Sequence, residues 1–199
     1  MTNISIDDIK RLRELTGVGI TDAKKALVET DGDFDKALEA MRKKGLTKAE
    51  KRGEREARAG VIGTYNHDSR IGVLVEVNCE TDFVARNEIF TDLVKDISMH
   101  VAACAPQYIS EDEIPVQERD KVKAELSEKA KSEGKPAEML DKIVEGMMKK
   151  HFAERCLLDQ PFIKNPDQTV GQLVKEHIAK LGENIVVRRM SRFQLGEVE

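Results

Sequence analysis

Between Val61 and Val77 the spacing of apolar residues changes from helical to alternating. "VIGTY" (61–65) and "IGVLVEV" (71–77) flank the polar run "NHDSR" (66–70). Two β-branched runs joined by a short polar stretch are the pattern of a β-hairpin. Val73, Val75 and Val77 alternate with Gly72, Leu74 and Glu76, so at least one face of the second strand must be buried. On either side of this hairpin the apolar spacing is helical. A chain that switches period in this way, without an internal repeat, is predicted to be α+β, with a small antiparallel sheet packed by helices.

Three short helices are predicted ahead of the hairpin. Ser5 can cap the first, with Asp8 three positions on, and Ile6, Ile9 and Leu12 recur at helical spacing. Gly17 and Gly19 in "TGVGI" are expected to stop it. Thr21 is expected to cap a second helix carrying Ala23, Ala26 and Leu27. "TDGD" breaks that helix, Asp33 caps a third with Phe34, Ala37, Leu38 and Met41 on one face, and Gly45 is expected to close it. Helices this short persist only when packed together. The run "LTKAEKRGEREARA" (46–59) holds eight charged residues in fourteen and reads as a solvated linker or an exposed helix. The predicted organisation is a helical module over 1–46, a charged linker over 47–59 and an α+β core over 60–199.

Within the core, Phe90, Leu93, Val94, Ile97 and Val101 mark a long helix that ends before Pro106. A charge-dense helical arm is predicted over about 110–135, with a thin apolar seam of Val122, Leu126 and Ala130. A further helix carries Leu140 to Phe152. "CLLDQPFIKNPDQT" reads as a loop, because Pro161 and Pro166 oppose regular structure. Thr169 caps the last helix, Gly182 closes it, and "NIVVRRMSRFQL" is a terminal strand whose arginines suit an edge or a polar face.

Composition narrows the function. The chain has 199 residues, 35% charged and only 4% aromatic, with no Trp and a net charge of −4. A phosphate-backbone grip needs clustered Lys and Arg, so direct nucleic-acid binding is not expected. Cys79, Cys104 and Cys156 are odd in number and widely spaced, which argues against disulfides and structural zinc and for a reducing compartment. No signal peptide and no membrane-spanning run is read, so a cytoplasmic protein is expected. There is no GxxxxGK[ST], HExxH or GxSxG, and "GVGITD" lacks the third glycine of a dinucleotide loop. No cofactor or metal is expected. A Cys–His nucleophile pair can be assembled by folding, but nothing in the sequence selects one. The residues point to a binding protein with two candidate surfaces. Val18 and Ile20 in the "TGVGI" corner either pack on their own helices or face a partner. "TDFV" (81–84) raises the same choice. Phe83 lies seven residues before Phe90, so one continuous helix capped by Thr81 or Asp82 would bury it.

At both surfaces the sequence resembles the bacterial translation elongation factor Ts family. "IKRLRELTGVGITDAKKALVETDGDFDKALEAMRKKG" resembles that family's N-terminal module, which is similar to a ubiquitin-associated three-helix domain. "GVIGTYNHDSRIGVLVEVNCETDFVARNEIF" resembles its central signature, and "CLLDQPFIKNPDQTVGQLV" and "GENIVVRRMSRFQLGE" its C-terminal segments. The match runs from about Ile9 to Gly196, and "NCETDFVARN" is its most specific part. The resemblance implies a guanine-nucleotide exchange factor, without a catalytic or nucleotide site of its own, whose partner is elongation factor Tu. It implies that Thr81, Asp82, Phe83 and Val84 dislocate the partner's Mg²⁺, with Phe83 as the wedge. It further implies docking of the N-terminal module on the partner's nucleotide-binding domain, with Lys10, Arg13, Ile20 and Lys24 as the contact candidates by position. A single copy of the core resembles the family's shorter form, for which a homodimer is expected. The resemblance also reverses the reading of Phe83. The strand is then expected to end near Asn78, Thr81–Val84 to form a separate exposed turn, and the long helix to start afresh with Asn87 as its cap.

Overall fold

The computed structural model describes residues 4–16, 19–136 and 139–197. Gly17 and Val18, two of the five residues of the "TGVGI" corner, lie outside them. The fold is α+β, as its alternating and helical segments require.

α1 (Ile6–Thr16), α2 (Ile20–Glu29) and α3 (Phe34–Arg52) pack around Ile9, Leu12, Ala23, Ala26, Leu27, Ala37 and Met41. Ser5 Oγ accepts the Asp7 amide at the start of α1, and Asp33 Oδ1 accepts the Lys36 amide at the start of α3. Two boundaries differ from the sequence reading. The N-cap of α2 is Gly19, in extended conformation, and Thr21 lies inside the first turn. Gly45 does not end α3, which continues to Arg52. The reason is packing: a Cβ at Gly45 would sit 3.3 Å from Ala179 Cβ, so the missing side chain lets α3 lie close on α8 (Val170–Leu181). Arg52 Nη1 donates to the Ile178 carbonyl at 3.1 Å, and Ala49 is buried in the main core. Glycine here serves helix contact rather than helix termination, at a propensity cost of roughly 1 kcal/mol that the contact must offset.

The sheet has the order β1-β2-β5, antiparallel throughout, from β1 (Ala59–His67), β2 (Ile71–Cys79) and β5 (Ile185–Gln194). β2 is central. Val73, Val75, Val77 and Cys79 are buried on one face beneath α5 (Glu88–Cys104), which contributes Phe90, Leu93, Val94, Ile97 and Val101. α8 adds Val170, Leu173, Val174 and Ile178 to the same core. β5 is an edge, as its arginines suggest. Its register shifts between Glu76 and Val77 of β2, and Arg192 Nε reaches the Ala102 carbonyl. The opposite sheet face is open, with Ile62, Leu74 and Phe193 exposed.

α6 (Val116–Ser132), the charge-dense arm, packs on α7 (Leu140–Ala153), with Ile114, Val122, Phe152 and Cys156 forming a small cluster separate from the main core. The proline-rich run is not a loop. β3 (Pro161–Phe162) and β4 (Asn165–Thr169) pair as a two-stranded ribbon. Both strands of such a ribbon are edges, and an edge strand tolerates proline's missing N–H because that position need not donate to a neighbouring strand. A capping box of Thr169 and Gln172 then opens α8, and Gly182 at φ 80° closes it.

Candidate functional site

β2 ends at Cys79, and its thiol donates to the Thr81 carbonyl at 3.1 Å. Thr81 caps the four-residue helix α4 (Asp82–Ala85): its Oγ1 accepts the Val84 amide at 3.4 Å. A single turn has too few hydrogen bonds to persist by itself, so it depends on caps and packing. Val84 packs half-buried against the main core and Ala85 is buried in it. Successive residues of a helix stand about 100° apart, so Phe83 is turned almost directly away from Ala85. It is 83% exposed. Asp82 is exposed beside it, with Arg86 Nη2 3.3 Å from its carboxylate one turn on.

α4 does not run into α5. Asn87 is extended at φ −71°, ψ 135°, and its Oδ1 accepts the Ile89 amide at 2.9 Å as the N-cap of α5. That extended residue resets the helical phase. Phe90 is therefore fully buried although Phe83, in apparent register with it, is not. The continuous helix allowed by spacing alone is absent; the separate turn and the Asn87 cap are present.

A second anchor holds this turn from the far end of the chain. In the α8–β5 turn, Glu183 Oε2 accepts the Glu80 and Thr81 amides at 3.1 and 3.0 Å, and its Oε1 accepts the Thr81 hydroxyl at 2.6 Å. In return Glu80 Oε1 accepts the Asn184 amide at 2.7 Å. Asn184 is buried, and its Nδ2 donates to the Gly53 and Arg55 carbonyls just beyond α3. Neither Glu183 nor Asn184 stands out in the sequence. The only signal is their place in "GENI", directly after the glycine that ends α8.

Lys10 and Arg13 are exposed on α1, beside the buried Ile9 and Leu12. Ile20 and Lys24 lie one turn apart on α2, both exposed, with Ile20 at 56%. All four candidates of the N-terminal module are thus open to solvent, some distance along the chain from Phe83.

The remaining reactive groups are arranged for structure. Cys104 Sγ lies 3.8 Å from His100 Nδ1, the closest approach to a Cys–His pair among the described residues. His100 is fully buried. Its Nδ1 accepts the Ile163 amide and its Nε2 faces Gln160 Oε1 at 2.9 Å. An amide N–H can only donate, so His100 is the neutral Nε2–H tautomer with its basic nitrogen engaged. Cys104 is exposed, but partial desolvation still raises its thiol, the wrong direction for a nucleophile. Burial likewise pushes Cys79 and Cys156 up to about 11. Among the described residues, no group of His, Cys, Asp and Glu is arranged to hold a metal ion, and no helix is long and apolar enough to cross a membrane.

The family model described as Elongation factor TS matches residues 20–197. The elongation factor Ts of Acetivibrio thermocellus is 52% identical over 195 residues, covering 98% of this chain and 91% of that protein. The elongation factor Ts of Heliobacterium modesticaldum is 52% identical over 190 residues, covering 95% and 88%. That of Thermodesulfovibrio yellowstonii is 50% identical over 196 residues, covering 98% of both chains. Matches at this level over nearly the full length extend across the three-helix module, the sheet core and the terminal strand alike, and so the chain belongs to the elongation factor Ts family of translation elongation.

Proposed function

We propose that this protein is the guanine-nucleotide exchange factor of elongation factor Tu. It binds the Tu–GDP complex, displaces the partner's Mg²⁺ and speeds GDP release, so that GTP can enter. The observation that carries this reading is Phe83: a phenyl ring 83% exposed on a short turn capped by Thr81 and cut off from α5 by the Asn87 cap. An aromatic in a monomer surface is costly to solvate and is the residue type that dominates interface energetics. Phe83 enters an apolar slot of the GTPase, Asp82 makes the polar contact beside it, and Thr81 and Val84 hold the turn in place. Removing Mg²⁺ strips the diphosphate of its main counter-charge, and GDP leaves faster. No catalytic group of the exchange factor takes part in this scheme. The chemistry is a shift in binding equilibrium, and coupling is reciprocal: what the factor takes from GDP affinity, GDP takes from the factor.

The module over 1–46 docks on the nucleotide-binding domain through Lys10, Arg13, Ile20 and Lys24. The open sheet face, with Ile62, Leu74 and Phe193 exposed, supports pairing of two cores as a homodimer. The site of action is the cytoplasm, and neither nucleic acid nor nucleotide is bound directly. Release of fluorescent GDP from purified elongation factor Tu tests the reading. The protein is expected to accelerate release, and excess GDP is expected to strip the partner from it. Unchanged release overturns the assignment.

A further inference from the structure

We propose that Glu183 is a positioning residue for the Phe83 turn, a role that rests on the exchange reading above. The two strands β2 and β5 pair as far as Cys79 opposite Ile185. Beyond that last pair the chains do not separate, because each offers a carboxylate to the other's backbone. Glu183 accepts both the Glu80 and the Thr81 amides, and Glu80 accepts the Asn184 amide. Glu183 also governs the cap itself. The Thr81 hydroxyl directs its hydrogen to Glu183 Oε1 at 2.6 Å, which aims its lone pairs at the Val84 amide. A hydroxyl rotor left to water has no such preferred direction. The N-cap of α4 is thus oriented by a residue 102 positions away in sequence.

The consequence is preorganisation. α4 has one turn, and Phe83 carries no packing of its own to fix the backbone beneath it. Three charge-assisted hydrogen bonds from a separate element supply that fixation, and such bonds are stronger than neutral ones. Without them the turn must be ordered on the partner during exchange, and the cost falls on the step in which Phe83 inserts. Initial docking through the N-terminal module does not involve this step.

The test is stopped-flow release of fluorescent GDP from elongation factor Tu against factor concentration, with wild type, Glu183→Ala and Glu183→Gln. The glutamine variant removes the charge but keeps a carbonyl oxygen that can accept the two amides, and its amide group can still pair with the Thr81 hydroxyl. Glu183→Ala is expected to lower the saturating release rate by about tenfold, with the half-saturating concentration near that of wild type. Glu183→Gln is expected to recover most of the rate. Simple loss of folded protein does the opposite, raising the half-saturating concentration and sparing the saturating rate. An unchanged saturating rate in Glu183→Ala overturns the positioning role alone. A wild type that fails to accelerate release overturns the exchange reading itself. Amide hydrogen exchange on the free protein separates the two further. The Thr81 amide is expected to be protected in wild type and to exchange fast in Glu183→Ala, and equal protection in both overturns the clamp whatever the partner does.

Discussion

Phe83 and Phe90 stand seven residues apart, and one is 83% exposed while the other is fully buried. The extended Asn87 between them separates two helical phases that sequence spacing merges into one. The two rings therefore carry different burdens, and their truncation has opposite signatures. Phe83→Ala is expected to change stability by less than about 0.5 kcal/mol, as for a surface site, while abolishing most exchange. Phe90→Ala is expected to cost about 3–5 kcal/mol. Urea unfolding of both variants beside the GDP-release assay decides this. A large stability loss in Phe83→Ala ends its assignment as a wedge.

Gly63 lies in β1 where α5 crosses the sheet. A Cβ there would meet Val94 Cγ1 at 2.4 Å and Ser98 Oγ at 2.5 Å, distances that force the helix or strand to move. Gly63→Ala is expected to destabilise by about 1–3 kcal/mol through overpacking, despite the higher strand propensity of alanine. Chemical denaturation measures it, and a neutral or stabilising result shows that α5 yields easily.

Two histidines make stability depend on pH. Burial, the largest cause in each case, holds His100 and His177 below the ordinary histidine pKa of 6.5. Their folded values lie below the unfolded one, so the unfolded chain takes up protons first as pH falls. The stability they contribute is complete above about pH 6.5 and is lost as pH falls from there toward their folded values. Each group adds up to about 1.4 kcal/mol per pH unit within that window. Urea midpoints at pH 7.5 and 5.5 are expected to differ, with the lower midpoint at pH 5.5. His177→Gln is expected to reduce the difference, and equal midpoints in the wild type refute it.

The three thiols differ in access. Cys104 is exposed, while Cys79 and Cys156 are buried with pKa values pushed up to about 11. A thiolate-selective disulfide reagent at pH 8 is expected to titrate Cys104 alone in the native protein, slowly because its own pKa is raised, and all three after denaturation. Rapid native reaction at Cys79 is the contrary result, because that sulfur is sealed beneath the turn that carries Phe83.

The amino-acid sequence alone shows the α+β class, the hairpin, the long helix with its Phe90-to-Val101 stripe, and the caps at Ser5, Asp33 and Thr169. These features are local: period, turn chemistry and capping act within a few residues, so they are visible in one dimension. Its family resemblance carried the exposed setting of Phe83, which spacing alone assigned to the core. Features that depend on a distant neighbour emerge only in the folded core. Gly45 continues a helix because Ala179 lies across from it, and Pro161 and Pro166 sit in strands because a two-stranded ribbon has only edges. Glu183 reaches Thr81 because β2 and β5 end side by side. None of these partners is encoded within the segment it affects; each arises only when the folded core brings remote backbone within hydrogen-bond or van der Waals reach.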